Sequence, residues 1–192
     1  MSDLVRIAID AMGGDRGPTV TVPASISYLQ NYPQTEFHLF GDELLINDAL
    51  AKFEIKTVQS QITIVPCASL VTDGDRPSKT LRAKQDSSMA QAVRAIRDGT
   101  CDACVSAGNT GALMAFGMQS LGTLPGVSRP AICGSIPTKK GGYLALDLGA
   151  NLSCVPEQLY QFAVIGAFTA RVIKETPEPI IKLLNIGVES TK

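Results

Sequence analysis

The 192-residue sequence has no tryptophan, a single histidine and almost no excess of charge, with 17 basic and 18 acidic side chains. The lone histidine, His38, lies inside a predicted strand, so no Ser–His–Asp or Cys–His arrangement can be built around it. The net charge of -1 argues against a protein that binds nucleic acid by neutralising phosphates. Long apolar runs are also lacking, because residues 159–173 contain polar side chains and fall short of the roughly 20 residues that cross a bilayer.

An odd number of cysteines, five, occurs in a chain without an amino-terminal signal. This combination indicates reduced thiols and predicts a cytoplasmic protein. Cys101 and Cys104 form a CxxC pair, but structural zinc needs four ligands and the sequence has no second pair. We therefore expect buried thiols near a strand, no metal site and no cofactor.

Short apolar runs alternate with helical patterns, and most of the runs are continuous. Continuous runs are typical of strands covered on both faces, and repeated strand–loop–helix units indicate a parallel sheet. The predicted strands are residues 5–9, 36–40, 62–65, 103–106, 131–135, 143–147 and 180–185. The predicted helices are residues 19–31, 43–51, 87–98, 111–121 and 156–174, and the polar segment 69–84 is predicted to be a mobile loop.

These elements predict an α/β fold with a doubly wound, mostly parallel sheet and helices on both faces. We expect residues 1–192 to form a single α/β domain. Each strand of such a fold normally leads into a helix that covers the sheet, but no helix follows the last predicted strand. The sequence is therefore expected to be the amino-terminal part of a longer enzyme, incomplete at its carboxyl terminus.

Four loops that follow predicted strands are rich in glycine, hydroxyl, amide and carboxylate groups. In open parallel sheets, ligands bind beyond the carboxyl ends of the strands. Glycine lets backbone N–H groups approach an anion, and the start of a following helix favours negative charge. Each loop alone could be an elaborate helix cap, but four along one edge favour a site for phosphate or a developing oxyanion. The loops are residues 10–18, 106–111, 147–151 and 185–189.

Several segments of the chain match a known family in order. They read IDAMGGDRGP at 9–18, LRAKQDSSM at 81–89, SAGNTGALMA at 106–115 and LDLGAN at 146–151, followed by QFAVIG at 161–166 and LLNIGVE at 183–189. Together they closely resemble the bacterial phosphate acyltransferases, the PlsX family, over essentially the whole chain. Val188 is the one position in them where a more polar residue is expected.

The resemblance implies transfer of a long acyl chain from acyl carrier protein to inorganic phosphate, giving acyl phosphate for phospholipid synthesis. It also implies a fold related to isocitrate and isopropylmalate dehydrogenases and to phosphotransacetylases. A homodimer is implied as well, with loose membrane association through a carboxyl-terminal part that this chain does not contain. No cofactor is required, because phosphate is already a nucleophile and a thioester is already activated.

Placement at strand ends and the family motifs together suggest roles for individual residues. Lys84 or Arg129 would counter the charge of the bound phosphate, and Asn109 or Asn151 would donate to the thioester oxyanion. The carboxylates of Asp10 and Asp147 would orient these donors or accept the phosphate proton. Phosphate itself would bind to Gly13, Gly14, Ser106, Gly108, Thr110 and Gly111.

The carrier protein is acidic, so a basic docking surface is expected. We place it on Arg76, Lys79 and Arg82, together with the turn at Lys139 and Lys140. Simple exposure of a hairpin turn to solvent is the alternative interpretation of the two turn lysines.

Three other functions stay open at this point. A small-acyl phosphotransacetylase that uses coenzyme A would have a small pocket in place of a long acyl tunnel. A dehydrogenase of the related fold is disfavoured, because the sequence has no recognisable cluster of aspartates for a divalent metal. The third possibility is a catalytically incomplete fragment that only dimerises or binds carrier protein.

Overall fold

A computed structural model describes residues 4–139, 141–151 and 153–184, and the chain divides into two compact units, Met1–Gly122 and Thr123–Lys192. The first unit contains β1 (Val5–Asp10), α1 (Pro18–Asn31), β2 (Thr35–Gly41), α2 (Glu43–Leu50), β3 (Ile62–Pro66), α3 (Pro77–Ala83), α4 (Ser88–Arg97), β4 (Ala103–Ser106) and α5 (Thr110–Leu121). The second contains β5 (Cys133–Thr138), β6 (Gly141–Leu146) and α6 (Pro156–Ile173).

The four strands of the first unit form a parallel sheet in the order β3-β2-β1-β4. The chain moves outward from β1 to β3 and then crosses back to place β4 on the other side of β1. This reversal creates a topological switch point between β1 and β4, where ligands of open α/β sheets bind. Asp10 pairs with Ser106 at the last rung of these two strands, so the loops that follow them leave the sheet side by side. The predicted mostly parallel α/β fold is confirmed.

The core of the first unit is formed by apolar side chains of the sheet and of its covering helices. Leu39 of β2 is completely buried, and Val22, Ile26 and Leu29 of α1 pack in the same cluster at helical spacing. On α4, the Ser87 hydroxyl oxygen accepts the N–H of Ala90 and starts the helix at Ser88, as the sequence predicts.

The segment 69–84 differs from the predicted mobile loop, because its second half is helix α3. Pro77 occupies the first turn of α3, where its missing N–H costs nothing, and Thr80 is buried. The Lys84 ammonium closes the segment by donating to the Leu70 carbonyl at 2.9 Å and to Asp75 Oδ2 at 2.6 Å. The prediction is wrong for α3 because its exposed basic residues obscure any apolar period.

Strands β5 and β6 pair antiparallel in a sheet of their own, within a fold that is otherwise parallel as predicted. They form a hairpin whose turn includes Lys139, and a Cβ on Gly142 would lie only 3.0 Å from the Ile136 carbonyl oxygen. The strand predicted at 180–185 is wrong for residues 180–184, which are exposed and pair with no strand in the described part of the chain. Lys140, Asn185 and the loop 185–189 lie outside the described residues.

Leu39→Ala is expected to lower the free energy of unfolding by about 3 kcal/mol, because it removes a completely buried side chain from the central sheet. Leu44→Ala is the matched control: Leu44 is 76% exposed on α2, so the same truncation is expected to cost less than about 0.5 kcal/mol. Urea unfolding of both variants measures the difference. Equal losses would contradict the described packing of β2.

The ion pair of Lys84 with Asp75 gives a second prediction. The hydrogen bond from Lys84 is the main reason that the pKa of Asp75 falls from 3.8 to about 2. The carboxylate therefore contributes stability above pH 3.8, and this contribution is lost as the pH falls toward 2. Asp75→Asn should destabilise the protein near neutral pH, and its difference from the wild type should shrink on acidification.

Asp73→Asn serves as the control for that series, because the Asp73 side chain is exposed and only its main-chain carbonyl accepts a hydrogen bond. Urea unfolding at a series of pH values compares the three proteins. A difference between wild type and Asp75→Asn that stays constant down to pH 2 would contradict the ion pair.

Candidate anion-binding site

The carboxylate of Asp10 lies at the end of β1 and is only 2% exposed. Its Oδ1 accepts the Ser88 hydroxyl at 2.6 Å, and its Oδ2 accepts the Ser106 hydroxyl at 2.7 Å. A buried carboxylate must have its oxygens bonded, since an unpaired charge is costly away from water. Asp10 thereby joins three elements at the switch point: the ends of β1 and β4 and the start of α4.

Two glycines let the loops after β1 and β4 pack directly on each other. A Cβ on Gly13 would lie 2.8 Å from Asp10 Oδ2 and 2.9 Å from the Gly108 nitrogen. A Cβ on Gly108 would lie 2.9 Å from the Met89 methyl group. A larger residue at position 13 would displace Asp10 or the backbone of Gly108, whereas one at position 108 would have to displace the end of the Met89 side chain. Gly14 follows with a φ of +82°, which also favours glycine.

The loop after β4 ends at the start of α5, where backbone donors are available to an anion. Asn109 Oδ1 caps the helix by accepting the N–H of Ala112 at 3.0 Å. The amides of Thr110 and Gly111 lie in the first turn, where no intrahelical acceptor exists. The Thr110 side chain is exposed, so its hydroxyl and these two N–H groups belong to a helix start, where the helix dipole favours an anion.

The amide nitrogen of Asn109 holds the segment before α3. It donates to the carbonyls of Thr72 at 3.2 Å, Asp73 at 3.2 Å and Asp75 at 3.0 Å. An NH₂ group has two hydrogens, and both are used by these carbonyls. Asn109 would have to release one of these carbonyls in order to donate to an oxyanion.

Lys84 is likewise engaged, since its two bonds to Leu70 and Asp75 leave one ammonium hydrogen free for an anion. The basic residues proposed for docking lie on and beside α3. Arg76 precedes α3, Lys79 and Arg82 lie within it, and all three are exposed. The start of α3 packs on the start of α5, because a Cβ on Gly111 would lie 2.8 Å from the Pro77 ring.

The second unit contains a separate polar loop after β6. Asp147 Oδ1 accepts the N–H of Ala150 at 3.2 Å, and Oδ2 accepts both the backbone N–H and the side-chain amide of Asn151 at 3.0 Å. The Asn151 amide also donates to the Pro130 carbonyl at 3.1 Å, which uses its second hydrogen. Arg129 is exposed next to Pro130. Asp147 and Asn151 therefore stabilise their own loop and the start of the chain leading to β5.

The cysteines of the first unit behave as buried thiols. Burial raises the pKa of Cys104 to about 12 and the pKa of Cys67 to about 11. At neutral pH both thiols are protonated and therefore poor nucleophiles. Among the described residues, no group of three or more His, Cys, Asp or Glu side chains is placed to hold a metal ion.

From the sequence, Ser87 or Ser88 could cap the helix that follows, and no role at the site was assigned to Ser88; the structure gives the cap to Ser87. The Ser88 hydroxyl contacts a residue 78 positions away, and no local pattern encodes that pairing. The sequence signal is a second serine beside a helix start that needs only one serine as its cap.

The described helices include none that is both long enough and apolar enough to cross a membrane.

Comparison with known proteins places these loops in a family context. The family model described as "fatty acid synthesis protein" matches residues 5–192. Among curated proteins, the phosphate acyltransferase of Teredinibacter turnerae is 45% identical over 196 residues, covering 100% of this chain and 57% of its own length. The phosphate acyltransferase of Methylococcus capsulatus is 46% identical, covering 98% of this chain and 56% of its own length. The chain thus spans about half the length of these relatives.

Among solved structures, the EutD phosphotransacetylase from Staphylococcus aureus superposes with a TM-score of 0.60 over 86% of this chain and 52% of that protein. At 18% sequence identity this likeness supports the fold alone. The match of the family model over nearly the whole sequence is the stronger finding, and by it the chain belongs to the fatty acid synthesis protein family.

Proposed function

We propose that the whole protein transfers an acyl group from acyl carrier protein to inorganic phosphate. The first unit would supply the phosphate-binding edge, which is formed by the loops after β1 and β4 and by the start of α5. The observation that carries this proposal is the meeting of two glycine loops with the start of α5 at the β1–β4 switch point. That geometry suits a tetrahedral anion. The relatives that align with the whole chain are named phosphate acyltransferases, which supports phosphate as the anion.

The reaction needs positioning more than activation. An oxygen of hydrogen phosphate bonds to the thioester carbonyl carbon, the carbon–sulfur bond breaks, and the phosphate proton leaves with the thiol. Holding the two reactants in line supplies roughly 7–11 kcal/mol, and each oxyanion donor supplies about 3 kcal/mol. Backbone amides, hydroxyls and a lysine are sufficient for this chemistry, and protonated cysteines take no part.

Within the first unit we assign phosphate to the donors that have no intrahelical partner. These are the first-turn amides of Thr110 and Gly111 and the exposed Thr110 hydroxyl, with the free hydrogen of Lys84 balancing charge. Asp10 orients these donors through its hydrogen bond to Ser106 in the loop before α5. The remaining members of the proposed phosphate site are Gly13, Gly14, Ser106 and Gly108, whose close packing shapes the edge.

The second unit supplies further candidates. Arg129 is an exposed cation that could counter the phosphate charge in place of Lys84. Asn151 remains the alternative to Asn109 as the oxyanion donor, and Asp147 holds Asn151 in place. Either amide must exchange a present acceptor for the oxyanion, and Asn109→Ala, described below, tests the first of them.

The basic surface beside the phosphate edge suits an acidic carrier protein. Arg76, Lys79 and Arg82 are exposed, and α3 packs on the same end of α5 that offers the anion donors. From the family resemblance we also propose a cytoplasmic homodimer with loose membrane association.

The function is tested by measuring acyl phosphate formation from palmitoyl carrier protein and phosphate, with acetyl coenzyme A as the competing donor. We expect a full-length relative to use the carrier-protein substrate. Lys84→Met and Asn109→Ala, made at the matching positions, should each lower turnover at least about tenfold, as loss of one charge-assisted or oxyanion contact does. Lys52→Met, at an exposed position outside the site, is the control.

Activity restricted to acetyl coenzyme A would replace the proposal with small-acyl phosphotransfer. Near-normal rates in the Lys84 and Asn109 variants would remove these residues from the mechanism. Assay of this 192-residue chain beside the full-length relative shows whether the chain alone completes a site.

Charge reversal tests the docking surface. The pair Arg76→Glu and Lys79→Glu should raise the KM for palmitoyl carrier protein about tenfold, because the acidic partner loses two attractive charges. The KM for a small thioester should stay unchanged. The pair Lys52→Glu and Lys56→Glu carries the same change in charge at exposed positions after α2 and controls for net charge. Equal losses with both substrates would indicate a structural role for α3 instead.

A further inference from the structure

The hydroxyl of Ser88 is used in an unusual way for a residue at the start of a helix. Ser88 is 1% exposed, and its Oγ donates to Asp10 Oδ1 at 2.6 Å. It does not cap α4, because the neighbouring Ser87 performs that function by accepting the N–H of Ala90. The Ser88 hydroxyl therefore contributes to the Asp10 network and not to the helix terminus.

The Asp10 carboxylate depends on this hydroxyl. Within the described ranges 4–139, 141–151 and 153–184, Asp10 forms no ion pair, and its side-chain oxygens accept only from Ser88 and Ser106. Removal of one donor from a buried carboxylate leaves an oxygen unsatisfied and forces the group to rearrange. Ser88 thus determines how Asp10 presents its other oxygen to Ser106.

Ser106 carries that orientation into the loop after β4. Its hydroxyl donates to Asp10 Oδ2 at 2.7 Å and accepts the N–H of Gly108 at 3.1 Å. A hydroxyl that donates to one group and accepts from another has its direction set by both. The chain of bonds from Ser88 through Asp10 and Ser106 therefore ends at an amide two residues before the exposed donors of Thr110.

We propose that Ser88 is a positioning residue, which acts through Asp10 and Ser106 to hold the Gly108 loop in the conformation that presents the start of α5 to phosphate. This inference rests on the proposed function for the identity of the anion. Ser88 does not touch the anion itself, since its hydroxyl is buried against Asp10.

The adjacent serines provide a matched pair of variants. Ser88→Ala removes the donor to Asp10. Ser87→Ala removes the cap of α4 and the hydroxyl bond to the Lys84 carbonyl, and it leaves both donors to Asp10 in place. Ser87 is 0% exposed, so the two truncations also resemble each other in burial. Ser88→Thr keeps the hydroxyl and tests rescue.

The first readout is the ¹H–¹⁵N resonance of Gly108 in the ligand-free chain, with folding checked by the rest of the spectrum. Ser88→Ala should shift this resonance, because its acceptor Ser106 moves, while Ser87→Ala and Ser88→Thr should leave it in place. The second readout is the Kd for inorganic phosphate by calorimetry. Ser88→Ala should weaken binding about fivefold or more, the loss of about one hydrogen bond, and the other two variants should change it by less than about twofold.

An unmoved Gly108 resonance in folded Ser88→Ala overturns the proposal, as does an equal loss of phosphate affinity in Ser87→Ala and Ser88→Ala. The proposed function fails separately: absence of acyl transfer in every protein, with phosphate binding that still depends on Ser88, leaves the positioning role standing. If Ser88→Thr does not fold, Ser88→Cys is the second conservative variant, and its weaker donor should give an intermediate shift.

Discussion

The carboxylate of Asp10, at the carboxyl end of β1, is only 2% exposed, so its oxygens must accept hydrogen bonds. The donors are hydroxyls from two other elements. Asp10 therefore constrains the end of β1, the end of β4 and the start of α4 at once. Glycine at position 13 belongs to the same arrangement, because a Cβ there would lie 2.8 Å from Asp10 Oδ2 and 2.9 Å from the Gly108 nitrogen. The Asp10 network therefore supports the loop that leads to the exposed donors at the start of α5.

A second set of contacts holds the segment before α3. Asn109 binds three carbonyls of that segment while capping α5, and Lys84 binds the segment from the far end of α3. Asn109, proposed as an oxyanion donor, and Lys84, proposed to balance the phosphate charge, thus also hold this segment in place. In the proposed function, substrate binding would be coupled to the position of α3 through these same two side chains.

Much of this arrangement could be predicted from sequence, for identifiable reasons. Buried parallel strands are continuous apolar runs, so the sequence predicts β1 to β4. It also predicts four loops along one edge of the sheet, and the structure places the loops after β1 and β4 side by side. Helix α3 was missed because it buries little beyond Thr80 and has no apolar period. The antiparallel hairpin of β5 and β6 agrees with the hairpin turn considered for Lys139 and Lys140. The bond from Ser88 to Asp10 depends on tertiary context that a local pattern does not contain.

The most direct test of the account is a titration of this chain with inorganic phosphate, followed by ¹H–¹⁵N spectroscopy. The account predicts saturable shifts concentrated at residues 13–14 and 106–111, with the largest at the first-turn amides of Thr110 and Gly111. Shifts that do not saturate, or that spread over exposed lysines elsewhere and spare these amides, would contradict the claim that the β1–β4 edge is a phosphate site.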